Sequence, residues 1–466
     1  MKKYLIILII ASGLTHFVFF GHPKETVFDE VHFGKFISGY FTHEYFFDIH
    51  PPLGKLLISG MGYMAGFEPG FSFAEIGQNF PDRSYLWLRL LPMLAGTLLP
   101  LVIFLLAIEL GLSRLAAFAA GMLVAIENAL IVQSRIMLLD AFLLLFGFLA
   151  LLFYLKSNGG KTTTNLLTAG VFAGLAASVK WTGLTFLAII GILYLINWFE
   201  SSRKFGGLIR DTVFLLVLPF IIYFSVFAIH FSLLNKSGPG DAFMTPEFRK
   251  TLAGSADNAN AGIHPLNIFE KFKELNVQMY KSNATLTATH PYSSKWYTWP
   301  FMIRPIYYWN SSAPSTDSTG SLQAGSGQAS SPQSQSRIYF LGNPVIWWGS
   351  TVAMMYLLLS VFVSLCKRIR PKLVPGLLIG AYLLNMLPFI GISRAMFLYH
   401  YMIGLVFAVI ALVYLLDKTE NKNKKRAFIA LLVGSVTAFI FFAPLTYGLP
   451  LSDASYNIRV WSKTWL

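Results

Sequence analysis

The sequence predicts an all-α polytopic membrane protein of about eleven transmembrane helices, with a cytoplasmic N-terminus and an outer C-terminus. Hydrophobic residues fill 55% of its 466 positions, aromatics 16% and charged residues only 12%, a composition foreign to soluble domains. Apolar runs of membrane-crossing length recur along the chain. Basic residues gather in alternate short loops between these runs, so the net charge of +14 reads as topology and not as a nucleic-acid footprint.

The first run, residues 4–20, follows Lys2 and Lys3. No small-residue cleavage site comes after it, so it is read as a membrane anchor in preference to a signal peptide. In the outer stretch 21–85, Phe33, Phe36, Ile37, Tyr40 and Phe41 recur at helical spacing beside Lys35 and Ser38, which predicts an interfacial helix. Further spans fall at 86–110, 115–132, 137–155, 164–179, 183–199 and 212–233. The run 164–179 is the least regular, since Gly170 and Gly174 interrupt it and Lys180 bounds it. A long outer loop, 234–342, is aromatic and specifically polar up to residue 310. From 311 to 337 it is almost entirely Ser, Gly, Gln, Thr, Pro and Ala, the composition of a flexible linker. Spans at 343–366, 374–391, 397–416 and 427–447 and an outer tail complete the chain.

Every inside loop is then basic: Arg114; Lys156 and Lys161; Arg203, Lys204 and Arg210; Lys367, Arg368, Arg370 and Lys372; Lys418, Lys422, Lys424, Lys425 and Arg426. Three units follow: an N-terminal membrane module, 1–233, that includes the loop 21–85; the outer loop 234–342; and a C-terminal four-helix module with its tail, 343–466. The single cysteine, Cys366, excludes a disulfide framework and a cysteine-built metal site.

Ionisable residues collect on the predicted outer face. Asp29 and Glu30 follow the first span, Arg89 lies just inside the second, Arg135 and Asp140 flank a short outer loop, Lys180 closes another span, and Arg394 precedes Tyr399 and His400. Charge beside a bilayer is costly and marks a substrate path or pairs with other charge. Arg and Lys next to a membrane pocket suit a lipid-linked phosphate, which needs charge compensation and fork-like donors. A carboxylate nearby can deprotonate an incoming hydroxyl, and because such a donor is already activated a single base suffices, unlike the carboxyl pair of a glycosidase. Asp29 and Glu30 are adjacent, so on a helix their side chains diverge and hold different roles.

Eight blocks, in order, carry a family resemblance: Phe28-Asp29-Glu30-Val31-His32-Phe33-Gly34-Lys35, His50-Pro51-Pro52-Leu53-Gly54-Lys55-Leu56, Arg89-Leu90-Leu91-Pro92, Leu138-Leu139-Asp140, Lys180-Trp181-Thr182-Gly183, Ser237-Gly238-Pro239-Gly240-Asp241-Ala242-Phe243-Met244, His290-Pro291-Tyr292-Ser293-Ser294-Lys295-Trp296 and Phe397-Leu398-Tyr399-His400-Tyr401. With these the chain closely resembles the protein O-mannosyltransferases, membrane glycosyltransferases of the GT-C class. They transfer mannose from a polyprenyl phosphate, dolichyl phosphate in eukaryotes, to Ser or Thr of proteins.

The resemblance implies the GT-C fold, inverting transfer with Asp29 as catalytic base, and support of the site by Glu30. It implies that Arg89 binds the donor phosphate, with Lys180 and Arg394 added from their position and charge. His50, Asp140, His290, Tyr292, Ser293, Trp296, Tyr399 and His400 are the residues expected to line the sugar and acceptor side. The implied partners are polyprenyl phosphate mannose, Ser/Thr-containing secreted or membrane proteins, and the bilayer. No cofactor is implied. A divalent metal site would draw on Asp29, Glu30, Asp48, Asp140, His50 and His290, and the basic residues make it unnecessary.

One departure concerns the eukaryotic members, which insert a β-trefoil MIR domain where this chain has only the stretch 311–337. That implies a minimal prokaryotic member in a plasma membrane with an outward-facing site, or an endoplasmic reticulum enzyme if the chain is eukaryotic. Two other readings compete. A GT-C transferase acting on a lipid acceptor, like the aminoarabinose transferases, would share the acidic pair. A transporter or flippase would show internal repeats, and none is visible.

Overall fold

The computed structural model describes residues 1–158, 162–200, 205–285, 289–311, 334–369, 372–392, 394–419 and 423–465. Lys161, Arg203, Lys204, Arg370 and Lys422, and most of the stretch 311–337, lie outside the described residues.

All eleven apolar runs fold as helix. The N-terminal runs form α1 (Lys2–Phe17), α4 (Tyr85–Glu109), α5 (Arg114–Ala125) with α6 (Asn128–Ser134), α7 (Asp140–Lys156), α8 (Thr162–Val179), α9 (Leu184–Glu200) and α10 (Phe205–Thr212) continuing into α11 (Leu218–Leu233). The C-terminal runs form α14 (Pro344–Cys366), α15 (Leu373–Leu384), α16 (Met402–Lys418) and α17 (Lys424–Tyr447). Eight helices among the described residues are long and apolar enough to cross a membrane, or nine if the bent pair α5–α6 is one span. Helices α1 and α7, at 16 and 17 residues, are not among these.

The third expected span is broken, α6 turning 57° from α5. Glu127 sits at the break, where its carboxylate accepts from the amides of Ala129 (3.2 Å) and Asn343 (3.0 Å) and so caps α6 while tying it to the start of α14. The glycines that made 164–179 irregular are packing devices. A Cβ at Gly170 would lie 1.8 Å from the Phe214 carbonyl oxygen, and one at Gly174 2.9 Å from Pro219 Cα, so α8 is able to lie backbone to backbone against the helix that runs from α10 into α11.

An extramembrane layer covers one end of the bundle. It contains α2 (Glu30–Thr42), as the helical spacing predicts, together with α3 (Leu53–Met64), α12 (Pro246–Arg249), α13 (Ile268–Thr285) and α18 (Asp453–Asn457). It also contains a small antiparallel sheet, β1 (Ile306–Asn310), β2 (Gln335–Phe340) and β3 (Pro450–Leu451), in the order β1-β2-β3. Ile306 pairs with Phe340 and Asn310 with Arg337, with a bulge between Tyr307 and Trp309. The all-α expectation is corrected in this respect, and so is the linker boundary, because Gln335, Ser336 and Arg337 belong to β2.

The three segments assigned to the outer face lock together. The Phe28 amide donates to the Tyr308 carbonyl at 3.1 Å, Trp309 Nε1 donates to Glu25 at 2.7 Å, and His22 bonds the Gly448 carbonyl at 2.9 Å. Residues far apart in sequence are thereby held over one end of the bundle.

Candidate active site

Two arginines anchor the chain as it leaves α1. Arg135 donates to the carbonyls of His16, near the end of α1, and of Val18 and Phe19 in the turn after it, so it caps a helix end. Arg89 is fully buried and forks onto Glu30, Nε to Oε1 at 2.7 Å and Nη2 to Oε2 at 2.6 Å. Its other N–H groups reach the carbonyls of Pro23 and Glu25, both at 2.7 Å. Glu30, also fully buried, accepts further from the amides of Val27 and Met137, both at 2.9 Å.

This arrangement corrects one sequence expectation and gives form to another. Arg89 has its donors committed to Glu30 and the 21–25 backbone and is not among the residues lining the cavity described below, so it is not placed to hold a donor phosphate. Glu30 supports the site as a clamp that fixes the start of α2 to α4 and to the turn before α7.

Asp29, at the N-cap of α2, points elsewhere and caps no amide with its side chain. The residue before it, Phe28, has φ +48°, a left-handed backbone that is strained for a side chain of this size and is held by ring stacking on Tyr308 at 4.0 Å. Burial first pushes the Asp29 carboxyl up to about 7; Lys180 opposes the shift, while Asp140 and Asp48 add to it.

Two ion pairs stand nearby. Lys180 Nζ bonds both Asp140 oxygens at 2.7 and 2.8 Å, Asp140 also accepts from Gln133 Nε2 at 2.8 Å, and Tyr308 donates to Gln133 Oε1 at 2.6 Å. Lys55, buried, pairs with Asp48 and donates to the His50 carbonyl at 2.9 Å. Burial, then Lys180, Lys55 and Arg394, hold His50 well below the usual imidazole range, so it is neutral.

A cavity of about 410 Å³ opens beside these pairs. Its polar lining includes His50, Asp140, Lys180, Arg394, Tyr399 and His400, and its apolar wall comes from α7 and α16, with Leu143, Leu144, Met402 and Ile403. Arg394 makes no hydrogen bond or ion pair with the described residues. Four of the residues expected on the sugar and acceptor side, His50, Asp140, Tyr399 and His400, therefore line one cavity with the expected phosphate-binding Lys180 and Arg394, and Asp29, outside its lining, is coupled to it through Lys180 and Asp140.

The others lie apart from it. Ser293 lines a second cavity of about 440 Å³ that shares Arg394 with the first. His290 packs edge-on against Phe397 at 5.0 Å and Tyr292 lies 6.5 Å from Tyr307, so both sit in the covering layer. Trp296 packs against the core and Tyr297. Asp48 and Lys55 were named from the sequence but not their pairing, and Gln133 and Tyr308 were missed, although a Gln inside the apolar run Ile131-Val132-Gln133 was a usable signal of a buried polar partner. Among the described residues no group of three or more His, Cys, Asp or Glu is arranged to hold a metal ion.

Residues 6–235 match the family model of dolichyl-phosphate-mannose-protein mannosyltransferase, and residues 268–465 match that of the C-terminal four-transmembrane region of protein O-mannosyltransferases. The chain belongs to the protein O-mannosyltransferase family. Dolichyl-phosphate-mannose–protein mannosyltransferase 4 of Candida albicans is 35% identical over 290 residues, 58% of this chain and 38% of the relative. Protein O-mannosyl-transferase 1 of Mus musculus is 36% identical over 265 residues, 53% of this chain and 35% of the relative. The chain thus spans little more than a third of the length of these O-mannosyltransferases.

The S. cerevisiae protein O-mannosyltransferase Pmt1–Pmt2 complex bound to the sugar donor superposes with a TM-score of 0.87 at 21% identity, over 100% of this chain and 92% of that one. ArnT from Cupriavidus metallidurans bound to undecaprenyl phosphate gives 0.55 at 12% identity, over 96% and 77%. This member of the family is an integral membrane protein of the GT-C fold.

Proposed function

We propose that this chain transfers mannose from a polyprenyl phosphate of the dolichyl type to Ser or Thr hydroxyls of proteins, with inversion at the sugar and Asp29 as general base. The observation that carries this reading is a carboxyl raised to about 7 that feels the charges of Lys180 and Asp140, both of which line a cavity with an apolar, helix-built wall and two cations, Lys180 and Arg394. An apolar wall suits a prenyl chain, and the cations suit its phosphate. The sugar donor held by the similarly folded Pmt1–Pmt2 complex, and the family itself, support the same assignment.

In the reaction Asp29 takes the proton of the acceptor hydroxyl, the new C1–O bond forms on the face opposite the phosphate, and the old C1–O bond breaks. Polyprenyl phosphate leaves with its charge held by Arg394 and by Lys180, which shares its own charge with Asp140. On this reading the donor is used on the outer side of the membrane, the face to which the basic inside loops assign residues 21–85 and 234–342. If the source is prokaryotic, that is the outer face of the plasma membrane.

Purified protein in lipid nanodiscs, given polyprenyl-phosphate mannose and a Thr-containing peptide with and without EDTA, should add one hexose mass to the peptide. Transfer to a lipid with the peptide untouched would overturn the protein-acceptor reading. Arg394→Ala is expected to raise the donor KM by about tenfold to a hundredfold, the loss of one charge-assisted phosphate contact, with little change in peptide KM. A donor KM within twofold of the parent would remove Arg394 from the phosphate site.

The pH profile follows from Asp29. Its carboxyl is protonated, and so useless as a base, below about 7. Thus kcat/KM should fall about tenfold per unit below that point and level off above it. A profile flat between pH 5 and 8 would exclude Asp29 as the titrating base.

A further inference from the structure

The second cavity differs from the first in what builds its walls. It lies between the loop 289–304 and the strand of chain 394–396, and none of its lining residues belongs to a membrane-spanning helix. The two loops are tied by the Ser294 amide, which donates to the Met396 carbonyl at 2.8 Å. Thr289 and Ser293 line the space with hydroxyls that can exchange hydrogen bonds with an extended backbone, and Thr298, whose hydroxyl donates to the Lys295 carbonyl at 2.7 Å, can still accept one. Residues 394–396 run directly into Phe397–His400, whose last two side chains line the first cavity, so the two spaces share one wall and Arg394 borders both.

The charge of this second space is one-sided. Lys295, Arg304 and Arg394 line it and no carboxylate does, among the described residues. Lys295 is exposed and makes no side-chain hydrogen bond or ion pair with described residues. Arg304 is exposed as well and spends one nitrogen on the Pro291 and Ser293 carbonyls, at 3.1 and 3.3 Å, which shapes the cavity rim and leaves its charge uncompensated. A trough with three cations and the hydroxyls of Thr289 and Ser293, sharing a wall with a site that takes a hydroxyl nucleophile, suits a polypeptide carrying negative charge next to its acceptor residue.

We propose that this second cavity is where the acceptor polypeptide docks, and that Lys295 and Arg304 make the enzyme favour Ser or Thr flanked by Asp or Glu. The inference rests on the mannosyl-transfer reading above and adds the acceptor class to it. A lipid headgroup is the competing anion. The walls argue against it, since a lipid would need an apolar groove between spans for its chains, which the first cavity has and the second lacks.

The test uses the full chain in nanodiscs with a donor and three peptides that differ only in the residues flanking one Thr: Glu, Gln or Lys. Partly exposed ion pairs are worth up to about 1 kcal/mol each, so kcat/KM should fall about fivefold from Glu to Gln and again from Gln to Lys, and the spread should shrink at high salt. Lys295→Glu should narrow or invert the Glu/Lys ratio, and Lys295→Glu with Arg304→Glu should invert it. Because the readout is a ratio between peptides on one preparation, partial misfolding does not mimic it. Equal rates for the three peptides, or a ratio indifferent to both variants, would overturn the inference while leaving mannosyl transfer intact. A dependence of the variants on phosphatidylglycerol in the nanodisc, with no peptide effect, would overturn it in favour of a headgroup site. No transfer to any peptide would overturn the transfer reading and this inference with it.

Discussion

Arg89→Met is expected to collapse the stability of the protein and not merely its affinity for a donor. The substitution keeps an apolar stem of similar length but leaves Glu30 charged and buried without its fork, and leaves the Pro23 and Glu25 carbonyls without their donors. Removing one partner of a buried pair costs about 3–5 kcal/mol, a large share of the 5–15 kcal/mol that holds a typical protein folded. Thermal unfolding followed by fluorescence-detected size exclusion should show a loss of well over ten degrees, or no folded peak. The double variant Arg89→Met with Glu30→Gln should recover part of the loss, because no orphan charge remains. A single variant as stable as the parent, with only a raised donor KM, would reverse the correction made above and return Arg89 to the phosphate site.

The two arginines show what a sequence can and cannot disclose here. A charge just inside an apolar run is visible, and so is its cost, but the run does not say whether the charge meets a ligand or a partner. Arg89 finds Glu30 at a separation of 59 residues, and Arg135 finds the end of α1 at more than a hundred. Apolar length alone located all eleven helical runs, because in a bilayer the backbone has to satisfy itself within each segment. It did not locate the bend at Glu127, whose second anchor, Asn343, lies 216 residues on.

The small sheet was missed for a similar reason. β1 and β2 are short, and their pairing crosses a stretch of low-complexity chain, although the aromatic run Ile306-Tyr307-Tyr308-Trp309 was a local strand signal. In the site itself, Asp140, Lys180 and Arg394 were legible as charge at span ends, with Tyr399 and His400 just beyond Arg394, and all five line the first cavity. His50, which also lines it, was assigned from the family resemblance, as were His290, Tyr292 and Trp296, which stay in the covering layer. Span-end charge did not by itself mark the cavity, since Arg89 and Arg135 carry it and bond protein groups instead.

Asp29→Asn should abolish transfer while leaving the protein folded. The amide matches the carboxyl in shape but cannot accept the hydroxyl proton, and general-base assistance contributes about 10²–10⁴ in rate, so kcat should fall by about a thousandfold with donor and peptide KM little changed. Stability should move the other way. The native carboxyl is raised from 3.8 to about 7, so the fold opposes its ionisation; the destabilisation this causes sets in as pH rises above 3.8 and is complete once pH passes about 7. At pH 8 the asparagine variant removes a charge that burial disfavours, and its melting temperature should equal or exceed that of the parent, whereas at pH 4 the two should coincide. This pairing of lost activity with retained or improved stability separates a base from a structural carboxylate: Glu30→Gln, which loosens the clamp, should lower both. An Asp29→Asn protein that transfers mannose within tenfold of the parent rate would end the assignment, and one that melts well below the parent at pH 8 would place Asp29 among the structural groups with Glu30.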